Sequence, residues 1–430
     1  MRPAPPPPAT TPPSGGARLA RLGLVVLTAI NLLNYLDRYV VAALGESLRH
    51  SSLHVSDTQF GLLTSVFITV YLVAAPAFGR WGDRGSRTRL IAVGVFLWSL
   101  ATALGGLAGT VAVLLAARAL VGVGEAAYGT ISPSLLADYY PRRYRGRIFS
   151  VFYAAIPIGT ALGYVVGGQM DVHFGWRSAF FVAGAPGLVL ALVALRLEDP
   201  PRGAQDPGDA PGVRPLDARG SARAVYAALL RNRPYTLTVL GYAAYTFALG
   251  GMAAFMPKFL MRARALPEAT ATSWFGLILV ATGFVGTAVG GWIGDALLRR
   301  TRQSYLWVSG VATLVAAPVA LVALTSPAPA LYWAAIVVAE LLLFSSTGPI
   351  NSAIVNLVAP DVRATAVALS ILAIHLLGDV PSPTALGMIS DASSLERAVL
   401  IIPAAVLVGG VIWTYAAWRG ERASAGGPTP

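Results

Sequence analysis

Gly79-Arg-Trp-Gly-Asp-Arg-Gly-Ser-Arg-Thr-Arg89, a turn crowded with charge at the end of an apolar run, decides the fold because the chain carries it twice. Gly291-Trp-Ile-Gly-Asp295-Ala-Leu-Leu-Arg-Arg300 repeats the order glycine, three residues, aspartate, three residues, arginine. A second echo links Tyr140-Pro-Arg-Arg-Tyr-Arg-Gly-Arg147 with Ala359-Pro-Asp-Val-Arg-Ala364. In each pair the copies lie about half a chain apart, which implies two tandem repeats. The glycines let two helix ends approach closely, and Asp83 can cap or bridge them. Arginines in such a turn can also serve only to set topology.

Outward from these turns the chain is almost wholly apolar. Of 430 residues, 55% are hydrophobic and 12% charged. Runs of about 20 apolar residues, each long enough to cross ~30 Å of hydrocarbon, recur throughout. Twelve are read, at 22–44, 60–79, 90–108, 111–135, 148–168, 178–195, 235–257, 272–293, 304–325, 331–357, 362–387 and 398–418. With the repeats, they predict an all-α membrane protein of twelve transmembrane helices in two pseudo-symmetric six-helix lobes. The expected organisation is a disordered Pro-rich cytoplasmic tail at 1–21, an N-terminal lobe at 22–195, a Pro/Gly/Arg-rich cytoplasmic linker at 196–233, a C-terminal lobe at 234–418 and a cytoplasmic tail at 419–430. So little polar chain remains that a soluble catalytic domain has no room, and no enzyme is expected.

The net charge of +12 follows topology rather than a nucleic-acid partner. With the N-terminus in the cytoplasm, only Arg49, Arg177, Lys258, Arg262, Arg264 and Arg397 of the 32 Lys and Arg fall on the opposite side, while Arg38 and Arg118 lie within spans. This is the positive-inside pattern, and it places both termini in the cytoplasm. The Met1–Gly16 stretch has no apolar core, and the first apolar run is too long for a cleaved signal peptide. The absence of cysteine excludes disulfides and thiolate metal sites. There is no Gly-xxxx-Gly-Lys-Ser/Thr phosphate loop, no metal-ligand spacing and no nucleophile elbow. No cofactor or metal is expected, and the energy source is read as an ion gradient, most simply protons. The arginine-heavy, cysteine-free composition points to a bacterial inner membrane.

Asn31-Leu-Leu-Asn-Tyr-Leu-Asp-Arg-Tyr39 puts Asp37 and Arg38 inside the first span. An ionised group at mid-bilayer costs at least ~2.5–3.5 kcal/mol, so such residues normally face a polar cavity and have a partner. Span 4 supplies partners. Arg118 and Glu125, seven residues apart, share one helix face. Gly122, Gly124 and Ala126 beside Glu125 leave room for another helix or for a ligand. A buried network of Asp37, Arg38, Arg118 and Glu125 is therefore expected. It could merely neutralise itself and lock the helix pair, but apolar residues of similar volume pack as well or better. A charged substrate, a transported proton, or both explain it more directly.

A buried carboxylate is drawn towards the neutral form by desolvation and towards the charged form by a guanidinium, so water or substrate can tip its protonation. Protonating Glu125 would release Arg38 or Arg118 to take a phosphate in bidentate fashion. Glu125 and Asp37 are the proton-coupling candidates; Arg38, Arg118, Asn34 and Tyr128 are the substrate-binding candidates of the first half. The second half adds Tyr242, Tyr245 and, one turn apart, His375 and Asp379, a pair that can be a relay or a packing contact. Glu340 is a further acid in span 10.

Twelve spans with a duplicated Gly-xxx-Asp turn resemble the major facilitator superfamily from Leu22 to Trp418. Ser86 stands where that superfamily commonly has a glycine, and Ala296 replaces an arginine in the second copy. Within the superfamily, Asn34-Tyr-Leu-Asp-Arg38, Gly122-Val-Gly-Glu-Ala126, Ile131-Ser-Pro-Ser-Leu-Leu-Ala-Asp138, Phe152-Tyr-Ala-Ala-Ile-Pro-Ile-Gly159, Leu162-Gly-Tyr164 and His375-Leu-Leu-Gly-Asp379 with Ser382-Pro383 resemble the spinster (Spns) lipid transporters. The small-residue ridge Gly159-Thr-Ala-Leu-Gly163-Tyr-Val-Val-Gly167-Gly168 is similar to the superfamily's antiporter signature, but Tyr164 occupies the usual proline position and leaves the direction of coupling open.

The resemblance implies alternating access with the substrate held midway between the lobes. It implies gating by Gly79, Asp83, Arg84 and Arg87, with Gly291, Asp295 and Arg299, as cytoplasmic latches. It also implies a lipid-like substrate with a phosphate-bearing head and one acyl chain, such as a lysophospholipid or sphingosine phosphate, carried by a monomer among membrane lipids. A carrier of small organic anions or drugs is the alternative within the class, since the span-1 string is shared with organic-anion symporters. A non-coupled lipid scramblase or a sensor is the alternative from another class.

Overall fold

The computed structural model describes residues 14–140, 142–201, 204–205, 222–358 and 363–425. Among them, twelve helices are long and apolar enough to cross a membrane. They are α1 (Arg18–Ala43), α2 (Asp57–Gly82), α3 (Arg87–Gly105), α4 (Val111–Tyr139), α5 (Val151–Phe174), α6 (Trp176–Ala194), α7 (Arg233–Arg262), α8 (Glu268–Leu297), α9 (Ser304–Thr325), α10 (Pro329–Ile354), α11 (Ala366–Ala392) and α12 (Leu395–Ala423). Local chemistry sets their starts. Ser56 and Gln59 form a capping box ahead of α2, and Thr110 accepts from the Val113 amide ahead of α4. Asn232 accepts from the Tyr235 amide ahead of α7, with Pro234 in the first turn. Ser86, the departure from the superfamily's glycine, caps α3 by accepting from the Arg89 amide, which a glycine has no side chain to do.

Both halves use one packing scheme. In the first, α1 packs against α5 and α6, α2 against α4, and α3 against α4 and α6. In the second, α7 packs against α11 and α12, α8 against α10, and α9 against α10 and α12. The duplication seen in the charged turns therefore extends to tertiary contacts. Close approach around Glu125 depends on missing side chains. A Cβ at Gly122 would lie 2.5 Å from the Phe67 carbonyl oxygen of α2, and one at Gly124 would lie 2.5 Å from that of Gly94 in α3. Neighbouring helices, not a ligand, occupy the room these glycines leave.

The lobes meet along two seams, α2 with α11 and α5 with α8. In α11 it is the segment Pro381–Ala392 that packs on α2, whereas Arg363–Ile374 packs on helices of its own lobe. The lobes are thus closed at the face that carries the α1–α2 connection, here the far face. They part towards the face that carries both chain ends, here the terminal face.

Three expected boundaries move. The first helix begins at Ser14, ahead of Leu22, because the Ala, Leu and Arg residues that precede the apolar run are themselves strong helix formers. Within the expected linker, Ala222–Arg231 is helical, and its Leu229 is buried against the cluster of Tyr235, Val239 and Ile354. The last helix runs past Trp418 to Ala425. The tail and linker calls at 1–13, 206–221 and 426–430, and the 359–362 turn, lie outside the described residues.

Gly124→Val should force α3 away from α4 and lower stability by about 1–3 kcal/mol, seen as a reduced thermal midpoint of the detergent-purified protein. Gly79→Ala, whose Cβ meets nothing within 4 Å, should leave the midpoint unchanged.

Candidate functional site

Between the lobes lies a chamber of about 250 Å³. One wall is built by Tyr35, Arg38 and Tyr39 of α1, Thr64, Phe67 and Tyr71 of α2, and Arg118 of α4; the other by Gly250, Ala253 and Ala254 of α7 and by His375 and Asp379 of α11. The i, i+3 and i+4 spacing of Tyr35, Arg38 and Tyr39 is what brings all three to one face of α1.

The four charged candidates meet, and they pair crosswise. Arg38 Nε donates to Glu125 Oε2 at 2.7 Å, with the Glu125 side chain fully buried and the Arg38 side chain 25% exposed. Arg118 Nη1 lies 3.6 Å from Asp37 Oδ1, and both side chains are buried. Thr102 of α3 donates to the other Asp37 oxygen. Each guanidinium is also stacked: Arg38 lies 4.9, 5.1 and 5.3 Å from the ring centres of Tyr35, Phe67 and Tyr71, and Arg118 lies 4.8 Å from that of Phe67. Glu125 Oε1, Asp37 Oδ1 and Arg118 Nε and Nη1 make no hydrogen bond, so the network has bonding capacity to spare.

Across the chamber, His375 Nδ1 lies 2.9 and 3.0 Å from the two Asp379 oxygens. The pair spans a π-helical turn, His375–Asp379, just ahead of Pro381. Single π turns of this kind alter the register of a helix and are frequent at functional sites.

The structure does not bring Asn34, Tyr128, Tyr242 or Tyr245 to the chamber wall. Asn34 is buried in α1 with its amide nitrogen unpaired. Tyr128 packs edge-on against Trp98 and donates to the Leu27 carbonyl at 2.6 Å. Tyr245 donates to the Leu343 carbonyl at 2.8 Å beside Trp413, and Tyr242 accepts from the Asn351 amide. A buried tyrosine needs a hydroxyl partner, and backbone carbonyls supply it to Tyr128 and Tyr245. Glu340 is buried in the C-terminal lobe, where Thr282 donates to it at 2.8 Å.

Of the expected latch residues, none whose side chain is described reaches the opposite lobe. Arg87 is buried and donates to Asp138, to Asp199 at 2.8 Å and to the Pro200 carbonyl at 2.6 Å, tying together the ends of α3, α4 and α6. A Cβ at Gly79 or Gly291 would meet open space, Arg84 and Arg299 are exposed, and Asp295 accepts from Tyr305 of its own lobe at 2.8 Å. The Asp83 side chain lies outside the described residues.

The ion pairs that described residues make across the lobes lie at the far face. Lys258 Nζ is 2.6 Å from Asp57 Oδ1, and Arg262 reaches Asp57 at 2.7 Å and Glu46 at 2.5 Å. Asp57 also accepts from Ser390, while Asp391 accepts from the Asp57 and Thr58 amides at 3.0 and 2.8 Å. Tyr164, the residue in the antiporter proline position, donates to the Ala253 carbonyl of α7 at 2.6 Å. Sequence reasoning took Lys258 and Arg262 as topological charges. A signal was available: the chain's single lysine stands one helical turn before an arginine at the end of a span, on the same side as Asp57.

A twelve-helix, two-lobe membrane fold around a charged chamber defines a multi-pass secondary transporter. Residues 27–383 match the Major Facilitator Superfamily. The chain is 36% identical to protein spinster homolog 3 of Danio rerio, over 92% of its own length and 84% of that protein, and 36% identical to protein spinster homolog 1 of Homo sapiens, over 85% and 72%. Its fold superposes with a TM-score of 0.86 on the crystal structure of a bacterial homolog to the human lysosomal transporter Spinster, solved inward-facing and unoccupied, at 24% identity over 96% of this chain and 99% of that one. The chain belongs to the major facilitator superfamily and, within it, to the spinster family.

Arg87→Ala removes the buried guanidinium that Asp138 and Asp199 share and should cost about 3–5 kcal/mol, read as a large drop in thermal midpoint. Arg84→Ala, on an exposed side chain, should leave the midpoint unchanged.

Proposed function

We propose that this transporter moves a lysophospholipid-like amphiphile, with a phosphate-bearing head and one acyl chain, by proton-coupled alternating access. The observation that carries the reading is the Arg38–Glu125 pair, a guanidinium open to the chamber held by an acid that has no exposure of its own. Protonating Glu125 removes the charge that holds Arg38, whose planar fork then faces the chamber and suits a phosphate. Deprotonation recaptures Arg38 and weakens its hold on the head group. Proton and phosphate are coupled through one shared arginine, with Asp37 and Arg118 as the reserve pair behind it.

The opposite wall supports an amphiphile. Gly250, Ala253 and Ala254 present small apolar surface for an acyl chain, while His375 and Asp379 add a polar contact for the head. The positive-inside charge pattern makes the terminal face cytoplasmic, so the open side in this structure is the inward one. The setting is a bacterial inner membrane, and the working unit is a monomer driven by a proton gradient.

Transport of a labelled lysophospholipid into proteoliposomes, with and without an imposed pH gradient, tests this. Wild type should accumulate lipid only with the gradient. Glu125→Gln should lose the response to the gradient, and Arg38→Ala should lose at least about tenfold in rate, equivalent to about 1.4 kcal/mol of lost interaction. Equal movement without a gradient and in both variants would instead describe a scramblase. Absence of lipid movement, with uptake of a small organic anion, would assign the chamber to that class.

A further inference from the structure

In the C-terminal lobe, α8 and α10 meet closely in one half of the bilayer and part in the other. Towards the terminal face, a Cβ at Gly286 would lie 2.7 Å from the Leu341 carbonyl oxygen, and one at Gly290 would collide with the Ser345 carbonyl. One turn nearer the far face, Thr282 still touches Glu340 at 2.8 Å. Beyond that contact the two helices leave an apolar groove of about 560 Å³, walled by Thr270, Trp274 and Ile278 of α8 and by Trp333, Ala334 and Val337 of α10. Spacing of four residues puts the α8 set on one face of its helix. Thr270 and Trp333 stand in the first two turns of their helices, so the groove opens at the far-face boundary of the bilayer and runs about 12 Å inward.

No charged side chain lines this groove, and α8 and α10 contribute nothing to the chamber wall. Its occupant is therefore apolar and is not the cargo in transit. Left empty, the groove would forfeit dispersion contacts along both walls. Its polar groups are three donors in the outer turns: the indole N–H groups of Trp274 and Trp333 and the Thr270 hydroxyl, none of which has a hydrogen-bond partner among the described residues. A tryptophan at a membrane boundary keeps its ring in the apolar layer and offers its N–H to the polar groups above it. The opposite face of the same stretch of α8 packs on α5. A Cβ at Gly168 would collide with Thr272, and one at Gly276 would lie 2.9 Å from the Ala161 carbonyl oxygen. Thr272 and Gly276 are two residues out of phase with the groove stripe, so whatever fills the groove backs the helix that forms the inter-lobe seam.

We propose that this groove binds one acyl chain of a far-leaflet glycerophospholipid, a resident lipid rather than the cargo, whose ester carbonyls accept from the indoles of Trp274 and Trp333. The chain fills the space where α8 and α10 part and braces α8 against α5. With no charged lining, the site reads the chain and its esters and is indifferent to the head group. The inference goes beyond the transport reading and needs neither Arg38 nor Glu125.

The probes are phosphatidylglycerol and phosphatidylethanolamine, each with a diazirine on one acyl chain, in nanodiscs holding the full-length protein. Light-induced adducts should map to the 270–278 and 333–338 segments. Native mass spectra of the protein released from the nanodiscs should show one retained phospholipid per chain, of either head group alike. Ala334→Trp, at an exposed position, fills the groove and should abolish both the adducts and the retained lipid. Trp274→Phe combined with Trp333→Phe keeps the apolar walls but removes both N–H groups, and should lower retention about tenfold, as the loss of two hydrogen bonds requires. Arg38→Ala, which changes only the chamber, should retain adducts and lipid. Adducts spread evenly over the lipid-facing helices, retention unchanged in Ala334→Trp or in the double variant, preference for one head group, or loss in Arg38→Ala would each overturn the proposal. So would a dimer joined at α8 and α10, which would put a second copy of the chain in the groove.

Discussion

An ion withdrawn from water must find a counter-charge within a few ångströms, and the 2.7 Å contact between Arg38 and Glu125 is where that constraint acts most directly on this structure. It sets the rotation of α1 against α4, because Arg38 and Asp37 are adjacent in sequence yet must turn to two different partners. It requires α2 and α3 to come close enough to enclose the site, which Gly122 and Gly124 permit. It also explains the aromatic lining, since Tyr35, Phe67 and Tyr71 cover a planar cation that water would otherwise hydrate.

Charge pairs fall into two groups by whether they cross the lobes. Arg38–Glu125, Arg118–Asp37, Arg87 with Asp138 and Asp199, and His375–Asp379 are internal to a lobe. They can persist while the lobes rock as rigid bodies. The pairs of Lys258 and Arg262 with Asp57 and Glu46 cross between lobes and must break when the far face opens. Breaking a buried pair is tolerable only if the separated ions gain water as they part, which an opening cleft supplies. Under the proposed alternating access, hydration of these far-face residues would keep the two states close in free energy.

The sequence carried a good deal of the candidate site. Asp37, Arg38, Arg118 and Glu125 were legible as a network because ionisable residues in apolar runs stand out and because seven-residue spacing places two of them on one face. The crosswise pairing was not legible, since it depends on the azimuth of α1. Tyr128 and Tyr245 read as binding residues from their neighbourhood, but the structure turns both into lobe cores, where their hydroxyls hold carbonyls of other helices. Periodicity identifies a helix face without saying what that face meets.

What the sequence determined by itself is what depends on local chemistry and repetition: twelve apolar runs of membrane length and two halves marked by the turns at Asp83 and Asp295. Bilayer thickness and hydrogen bonding within a helix act on neighbours in the chain, so they can be read along it. Only the tertiary structure decided that the far face is the closed one, that Lys258 and Arg262 cross to Asp57, and that Arg87 stays within its own lobe. Each of these joins residues far apart in sequence through the relative placement of helices, and that placement comes from side-chain packing across seams that no local pattern encodes.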